Sequence, residues 1–569
     1  MNPHFTTHST VYFRRAVVFS LAVLPAAIAA MTAVLATSPA FAQTQPNAGQ
    51  LLQQDRVAPQ LPQTAPALNV QPPVFAPMLP GGASVSIQGV RFEGATVFTA
   101  DQLLAVLGEV AGKSFDMAGL QGLAQRLSEH YRASGYPFAR VYLPEQKFAN
   151  GVLTLLVLEG RYAQVKATGD TALAGLAQAF LADLKPGAVI ESAPLERVTL
   201  ILSDQPGVKV APVIRPGQEV GTGDLVVEVS PTALWRGDVA LDNQGSRFTG
   251  EHRARLNLSA DSPFTFGDQL TLKGLASEAS QWLGNLGYSL PIGGSGLRAN
   301  VGYAHTYYKL GKQFASADAT GTADIVTLGV SYPLIRSQQS NLSLAATYQN
   351  KQLEDKQGSF NTKSNKTSNV LPLTLQFDRR DAFAGGGISY GSLVFTAGNL
   401  DLDSTLRLTD TTTAQTQGSF QKWNLDVARV QVTPIGNLTL YARVAAQGAS
   451  KNLDSSEDFG LGGANGVRAY PGGEGFGDEG WLGQLEARYA MGALTPYVFY
   501  DAGRVTVNRN PFAPGTNDRS VSGGGVGVRF ASGGWKLDAS AAWRAQGGAA
   551  TSDTDDRNPR VWFSASWQF

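Results

Sequence analysis

Between Leu438 and Gln447 the chain alternates. Leu438, Leu440, Ala442, Val444 and Ala446 fall on one face of an extended strand, and Thr439, Tyr441, Arg443 and Gln447 on the other. The last ten residues repeat the pattern: Val561, Phe563, Ala565, Trp567 and Phe569 share one face, and Ser564, Ser566 and Gln568 the other. Comparable strand signals recur from Ala233 to the end, with no convincing long helix between them. They begin near Trp235, His252, Asp268, Gln281, Leu297, Ala323, Asn341, Ser368, Ser389, Trp423, Leu438, Trp481, Leu494, Val521, Trp535 and Arg560. An even set of strands, apolar on one face and polar on the other, predicts an antiparallel transmembrane β-barrel of about sixteen strands. Closure matters because lipid cannot satisfy an open sheet edge. The alternation blurs in "WNLDVARVQV", so strand ends there are soft.

Ahead of this region the period changes. "VSIQGVRFEG" reads as a strand, "TADQLLAVL" as a helix behind a Thr cap, and "DMAGLQGLAQRLSEHYRASG" as a second helix. In the latter, Leu120, Leu123, Leu127 and Tyr131 recur with the helical period and Gly135 supplies the stop. "FARVYL" and "GVLTLLVLEG" are two further strands. A second unit repeats the order: "AQVKAT", "LAGLAQAFLADL", "APLERVTLILSD", "VKVAPVIRPG" and "DLVVEVSP". The expected domains are therefore two α+β units at 81–160 and 161–231, then a barrel over 232–569. Upstream, residues 58–80 are rich in proline and read as an extended tether. "PNAGQLLQQ", within 43–57, reads as one short helix at its tip.

Arg14 and Arg15, a long apolar run and "SPAFAQ", with small residues at Ala40 and Ala42, predict a secretory signal peptide over 1–42. Composition then narrows the function. Lysine plus arginine balances aspartate plus glutamate, 45 against 45, which gives no hint of nucleic-acid binding. The chain contains no cysteine, so disulfides and thiolate chemistry are excluded. Its five histidines never pair at metal-ligand spacing, so neither a metal nor a cofactor is expected. "GGGVGV" lacks the following helix and lysine of a phosphate loop. No nucleophile–base motif is present, and the chain reads as a conduit rather than an enzyme.

Signal peptide, tip helix, tether, two β-α-α-β-β units and a barrel together make a chain that resembles the two-partner secretion transporters. These form the haemolysin secretion/activation branch of the POTRA-barrel outer-membrane superfamily. "YRASGYPFARVYLPEQKFANGVLTLLVLEG" and "LSDQPGVKVAPVIRPGQEVGTGDLVVEV" resemble its POTRA modules, and "LDNQGSRFTGEHRARLNL" resembles its first barrel hairpin. The resemblance implies that the tip helix, around Leu51 and Leu52, plugs the lumen. It also implies that a glycine-rich loop at about 450–480 folds back into the barrel, carrying a VRGY-type motif at Val467, Arg468, Ala469 and Tyr470. Ala469 stands where the family usually has glycine. The family's partner motif, F-x-D, falls on Phe499 and Asp501. Strand alternation independently puts these two on one face, and Asp501 makes that face the lumen. Gly523, Gly525 and Gly527 on the next strand are expected to leave room for the loop. Trp567 and Phe569 form the implied C-terminal insertion signal.

The implied function is outer-membrane secretion of an unfolded exoprotein, recognised in the periplasm through the POTRA units and its own N-terminal secretion domain. The implied partners are that exoprotein, outer-membrane lipid and the barrel-assembly machinery, with no nucleic acid. The competing reading is a barrel-assembly insertase, which usually carries more POTRA units.

Overall fold

The computed structural model describes residues 45–54, 58–62, 81 and 83–569. The signal peptide, the flanks of the tip helix and most of the tether lie outside the described residues.

A short helix α1, Ala48–Gln54, comes first. The first α+β unit runs β1 (Val85–Ile87), β2 (Gly89–Glu93), α2 (Ala100–Leu107), β3 (Lys113–Phe115), α3 (Met117–Ala133), β4 (Arg140–Tyr142) and β5 (Val152–Leu158). Thr99 and Gln102 close a capping box on α2, and Asp116 caps α3. The expected single first strand is broken at Gln88. Its first part pairs with β3 in a separate ribbon, and its second lies parallel to β5 in the sheet β2-β5-β4. The core joins Leu103 and Leu107 of α2 with Leu120, Leu123, Leu127 and Tyr131 of α3.

The second unit runs β6 (Arg161–Gly169), α4 (Thr171–Ala177), α5 (Ser192–Ser203), β7 (Val208–Pro216) and β8 (Thr222–Pro231). Its first helix is shorter than the run "LAGLAQAFLADL" suggests, because it tightens to 3₁₀ at Gln178–Leu181. The two units abut. Phe138 of the first packs on the core of the second, and Ser192 N–H donates to Gly135 O at 2.9 Å.

Sixteen strands then close an antiparallel barrel. They are β9 (Trp235–Asp242), β10 (Arg253–Asp261), β11 (Gln269–Ser277), β12 (Gln281–Pro291), β13 (Arg298–Lys309), β14 (Ala319–Arg336), β15 (Ser340–Gln357), β16 (Thr362–Asp381), β17 (Gly387–Leu402), β18 (Gly418–Val432) and β19 (Leu438–Ala449). A helix, α6 (Ser404–Thr412), lies in the loop between β17 and β18. After β19 come two short strands within the long loop, β20 (Phe459–Gly460) and β21 (Phe476–Gly477). The barrel resumes with β22 (Glu479–Tyr489), β23 (Leu494–Thr506), β24 (Asp518–Ser532), β25 (Trp535–Gln546) and β26 (Arg560–Gln568). β26 returns to β9 over five pairs, Ser564↔Asp242 to Gln568↔Asp238.

Connections at the end next to the α+β units are short, and all the long ones lie at the far end, the asymmetry of an outer-membrane barrel. Leu440 and Val444 are exposed outward while Tyr441, Arg443 and Gln447 are buried in the lumen. Outward aromatic residues form two girdles. Trp282, Tyr303, Tyr348, Trp423, Trp481 and Tyr500 lie toward the extracellular end, and Trp235, Phe383, Tyr489, Trp535, Trp567 and Phe569 toward the periplasm. The blurred pattern of β18 has a local cause. Near the periplasmic turn Tyr390, Ala428 and Tyr441 cluster inside, while Arg429 pairs with Asp381 at 2.8 Å.

The second α+β unit docks under the barrel through α5 and the turn after it. Asp204 takes a bidentate contact from Arg336, both distances 2.6 Å, and Arg197 donates to Pro333 O at 2.8 Å. Among the described residues no helix is long and apolar enough to cross a membrane.

Candidate functional site

The glycine-rich loop 450–478 enters the lumen because its own backbone folds tightly. Val467 N–H donates to Leu461 O at 2.7 Å, Gly466 N–H to Gly463 O at 3.0 Å, and Tyr470 N–H to Val467 O at 3.0 Å. Gly463, Gly473 and Gly475 adopt left-handed backbone angles that side chains resist. The resulting knot presents Arg468 to the wall.

Arg468 reaches Asp501 on β23 with both arms of its guanidinium, Nε to Oδ2 at 2.8 Å and Nη2 to Oδ1 at 2.7 Å. Its backbone N–H donates to the same carboxylate at 3.1 Å. The planar fork suits a carboxylate, and lysine has no equivalent. Phe499, two residues before Asp501 and on the same face, lies under the guanidinium, 3.6 Å from its carbon to the ring centroid. Arg468 is 5 % exposed and Asp501 0 %, so the pair is desolvated.

A second acid completes the site, and sequence reasoning missed it. Glu486 on β22 accepts from Arg468 Nη1 at 2.5 Å, Arg488 Nε at 2.7 Å and Arg529 Nη1 at 3.0 Å. Three guanidiniums thus converge on one carboxylate. Strand alternation through "WLGQLEARY" held the signal, since Gln484, Glu486 and Arg488 share a face. Backbone oxygens of the loop are held too. Trp562 Nε1 donates to Arg468 O at 2.7 Å, Arg443 Nη1 to Asn465 O at 2.8 Å and Gln484 Nε2 to Gly466 O at 2.9 Å.

The other motif residues pack. Val467 and Tyr470 are fully buried, and the Tyr470 hydroxyl donates to Gln546 O at 2.7 Å. Ala469 faces Gly523, and a Cβ on Gly523 would collide with the Ala469 methyl. Of the three expected glycines, only Gly523 makes room for the loop. Gly525 accommodates the Phe499 ring and Gly527 the Tyr497 ring. Farther along the loop, buried Glu474 accepts from Thr551 N–H and Ser552 N–H, both at 2.9 Å, and pairs with Arg519 at 2.7 Å.

Helix α1 lies inside the same lumen. Leu51 is buried against Phe248, Tyr308, Leu310, Ala319, Ala323 and Leu353, with Leu52 half-buried at the edge. Phe248 belongs to the first hairpin. Asp355 on β15 accepts from Ala48 N–H at 3.0 Å and from the Tyr308 hydroxyl. Farther along the chain, Pro62 O accepts from Arg380 Nη2 at 3.4 Å, near the periplasmic end of β16. The described N-terminal segments therefore line the lumen from its extracellular half to its periplasmic mouth. At the barrel seam, Phe569 exchanges backbone hydrogen bonds with Gly237 at 3.0 and 3.1 Å, and its ring stacks beside Trp567.

Comparison with known proteins agrees with this geometry. The family model described as "Haemolysin secretion/activation protein ShlB/FhaC/HecB" matches residues 221–530, and a "POTRA domain, ShlB-type" matches 85–160. The heme/hemopexin transporter protein HuxB of Haemophilus influenzae (strain 86-028NP) is 28 % identical over 412 residues, covering 71 % of this chain and 72 % of that protein. The outer membrane transporter CdiB of Dickeya dadantii is 23 % identical over 481 residues, covering 81 % and 83 %. The solved structure of CdiB from Escherichia coli superposes with a TM-score of 0.69 at 19 % identity, covering 92 % of this chain and 96 % of that one. BamA from Haemophilus ducreyi shares the barrel fold more distantly, with a TM-score of 0.50 at 13 % identity over 86 % of this chain and 100 % of that one. The sequence match thus falls on the secretion family and not on the assembly insertases. With its inward-folded arginine loop, closed sixteen-strand barrel and periplasmic POTRA module, the chain belongs to the haemolysin secretion/activation family of outer-membrane two-partner secretion transporters.

Proposed function

We propose that the structure is the resting state of the conduit, plugged by α1, with its inward loop held by Arg468 in the position that transport requires. The observation that carries this reading is the buried contact of Arg468 with Asp501 and Glu486 from a loop that crosses the lumen. Such a contact adds little net stability, because desolvating the charges offsets their attraction. What it supplies is geometry: one loop position among the many a glycine-rich chain can adopt.

The second α+β unit acts as a second POTRA module, placed against the barrel mouth by Arg336 and Arg197. The cargo is an unfolded exoprotein bearing an N-terminal secretion domain. It is captured as an added strand along a POTRA sheet edge and passed up the lumen as α1 leaves. Folding outside biases the direction, and the chain performs no chemistry. Trp567 and Phe569, at the lipid-facing C-terminus, are what the barrel-assembly machinery reads during insertion.

A pair of single-cysteine variants in this cysteine-free chain tests the path. Lys273 lines the lumen, whereas the neighbouring Leu272 faces outward. A stalled exoprotein carrying a cysteine crosslinks to Lys273→Cys and not to Leu272→Cys. Crosslinking to Leu272→Cys instead removes the through-lumen reading.

A further inference from the structure

Helix α1 touches two surfaces. One is the wall formed by β14 and β15. The other is the beginning of the long loop. A Cβ on Gly49 would press on Ser455 Oγ and Ser456 N. Ser455 Oγ donates to Asn47 Oδ1 at 2.8 Å, and Gln53 Nε2 donates to Ser456 O. The helix is therefore gripped between barrel wall and loop, with a glycine where the two backbones come closest.

That loop segment is itself fastened, on strands other than the two that hold the arginine latch. Lys351 of β15 and Lys422 of β18 both pair with Glu457, at 2.6 and 2.8 Å. Lys366 of β16 pairs with Asp454 at 2.6 Å. Lys422 Nζ and Gln447 Nε2 also donate to Glu457 O, at 2.8 and 2.9 Å. Leu453 adds an apolar foot against Val370, Leu400, Leu402 and Phe420. All three lysines point into the lumen from the extracellular half, and Asp454 and Glu457 are buried. The ion pairs of the arginine latch and the lysine anchor share no partner: the first use β22 and β23, the second β15, β16 and β18, with Gln447 of β19 adding a hydrogen bond to the anchor.

We propose that residues 454–458 are the keeper of the plug helix, a binding site for a short helix with glycine on one face and leucine on the other. Lys351, Lys366 and Lys422 hold the keeper to the wall independently of Arg468. The proposal rests on the plug reading of α1 and adds what controls the plug's release. The helix alone is short and imperfectly matched to its groove, since Gln53 Oε1 is buried without a hydrogen-bond partner. Loosening the tip at Arg468 leaves the grip on α1 in place. Loosening the keeper frees α1 while the tip stays latched.

The test uses the full chain in lipid vesicles with one introduced cysteine, Ala48→Cys, in a residue buried under the grip. Its rate of modification by a water-soluble maleimide reads departure of the helix. In that background Glu457→Gln and Asp454→Asn raise the rate about tenfold or more, because each removes a carboxylate charge that ties the loop segment to a buried lysine. The exchange Asp454→Lys with Lys366→Asp returns it toward the starting rate, which a mere folding defect does not do. Arg468→Ala changes it less than about twofold. Heat-modifiable migration on gels confirms that each barrel is assembled. Keeper variants that label at the starting rate, or Arg468→Ala labelling as fast as they do, overturn the proposal. Conductance of a chain lacking residues 45–54 separates the two layers. If it rises while keeper variants label slowly, the keeper falls and the plug stands; if it is unchanged, the plug reading falls and takes the keeper with it.

Discussion

Arg468 has two carboxylates within reach, and each fixes a different strand. Removing one partner strands charge in a closed lumen, at a cost of about 3–5 kcal/mol. Asp501→Asn therefore releases the loop tip while the barrel still assembles, measured as protease cleavage near residue 468 in intact cells. Arg468→Lys does the same, because an ammonium cannot make the two-pronged contact with Asp501 while also reaching Glu486. Ala469 and Gly523 form a size-matched pair across the same interface. Gly523→Ala overpacks it by about 1–3 kcal/mol, and adding Ala469→Gly recovers only the part due to the methyl contact, because the Trp543 carbonyl oxygen also lies 2.6 Å from the new Cβ. A double-mutant cycle of barrel melting temperatures checks this, and additivity of the two changes refutes the pairing. The methyl of Ala469 is thus accommodated by an absent side chain opposite. The sequence marked Gly523 as one of three glycines leaving room for the loop, but not as the one opposite Ala469, because that depends on which residue of β24 faces the loop tip.

Elements were legible where one period ran without interruption. Most of the sixteen barrel strands start within three residues of their apolar-polar signal, and β14, β16 and β18 start four to six residues earlier, since lipid on one side and a wet lumen on the other enforce the alternation only within the membrane. Smaller features were hidden. Gln88 splits the first strand because its two halves pair with different partners, a tertiary effect that local propensity cannot reveal. The turn "LEGR" looked like the end of a strand and is a junction instead. Glu159 accepts from Thr96 N–H at 2.6 Å, Val97 N–H at 2.7 Å and the Thr96 hydroxyl, and pairs with Arg161 at 3.0 Å. Burial would raise its pKa, but these donors outweigh it and hold the carboxyl below its ordinary value. A lowered folded-state pKa contributes stability that is present above the ordinary carboxyl range and lost as pH falls through the folded value. Protease resistance of the first α+β unit therefore holds from pH 7 to the ordinary carboxyl value of 4.5 and drops as acidification continues below it. Glu159→Gln is weaker at pH 7 and flatter across that range. An equally steep profile for both proteins excludes Glu159 as the cause.

At the scale of the molecule, three things meet in one lumen: a helix from the N-terminus, a loop from between β19 and β22, and a wall from most of the barrel. Their order along the chain suggested the family, and alternation placed Asp501 inside. The lysine anchor and Glu486 escaped notice because their contacts with the loop span 18 to 106 residues of sequence, with no short motif to mark them. On the proposed function the barrel is a gated path whose loop must be set by Arg468 before cargo can pass. Export decides it. The exoprotein partner is produced in a Gram-negative host with the wild-type chain, with Arg468→Ala, or with no transporter, and is quantified outside the cell. Export with the wild type, a drop of about tenfold or more with Arg468→Ala at equal barrel levels, and none without the transporter is the expected result. Undiminished export with Arg468→Ala contradicts the role given to the latch, and export without the transporter contradicts the secretion function itself.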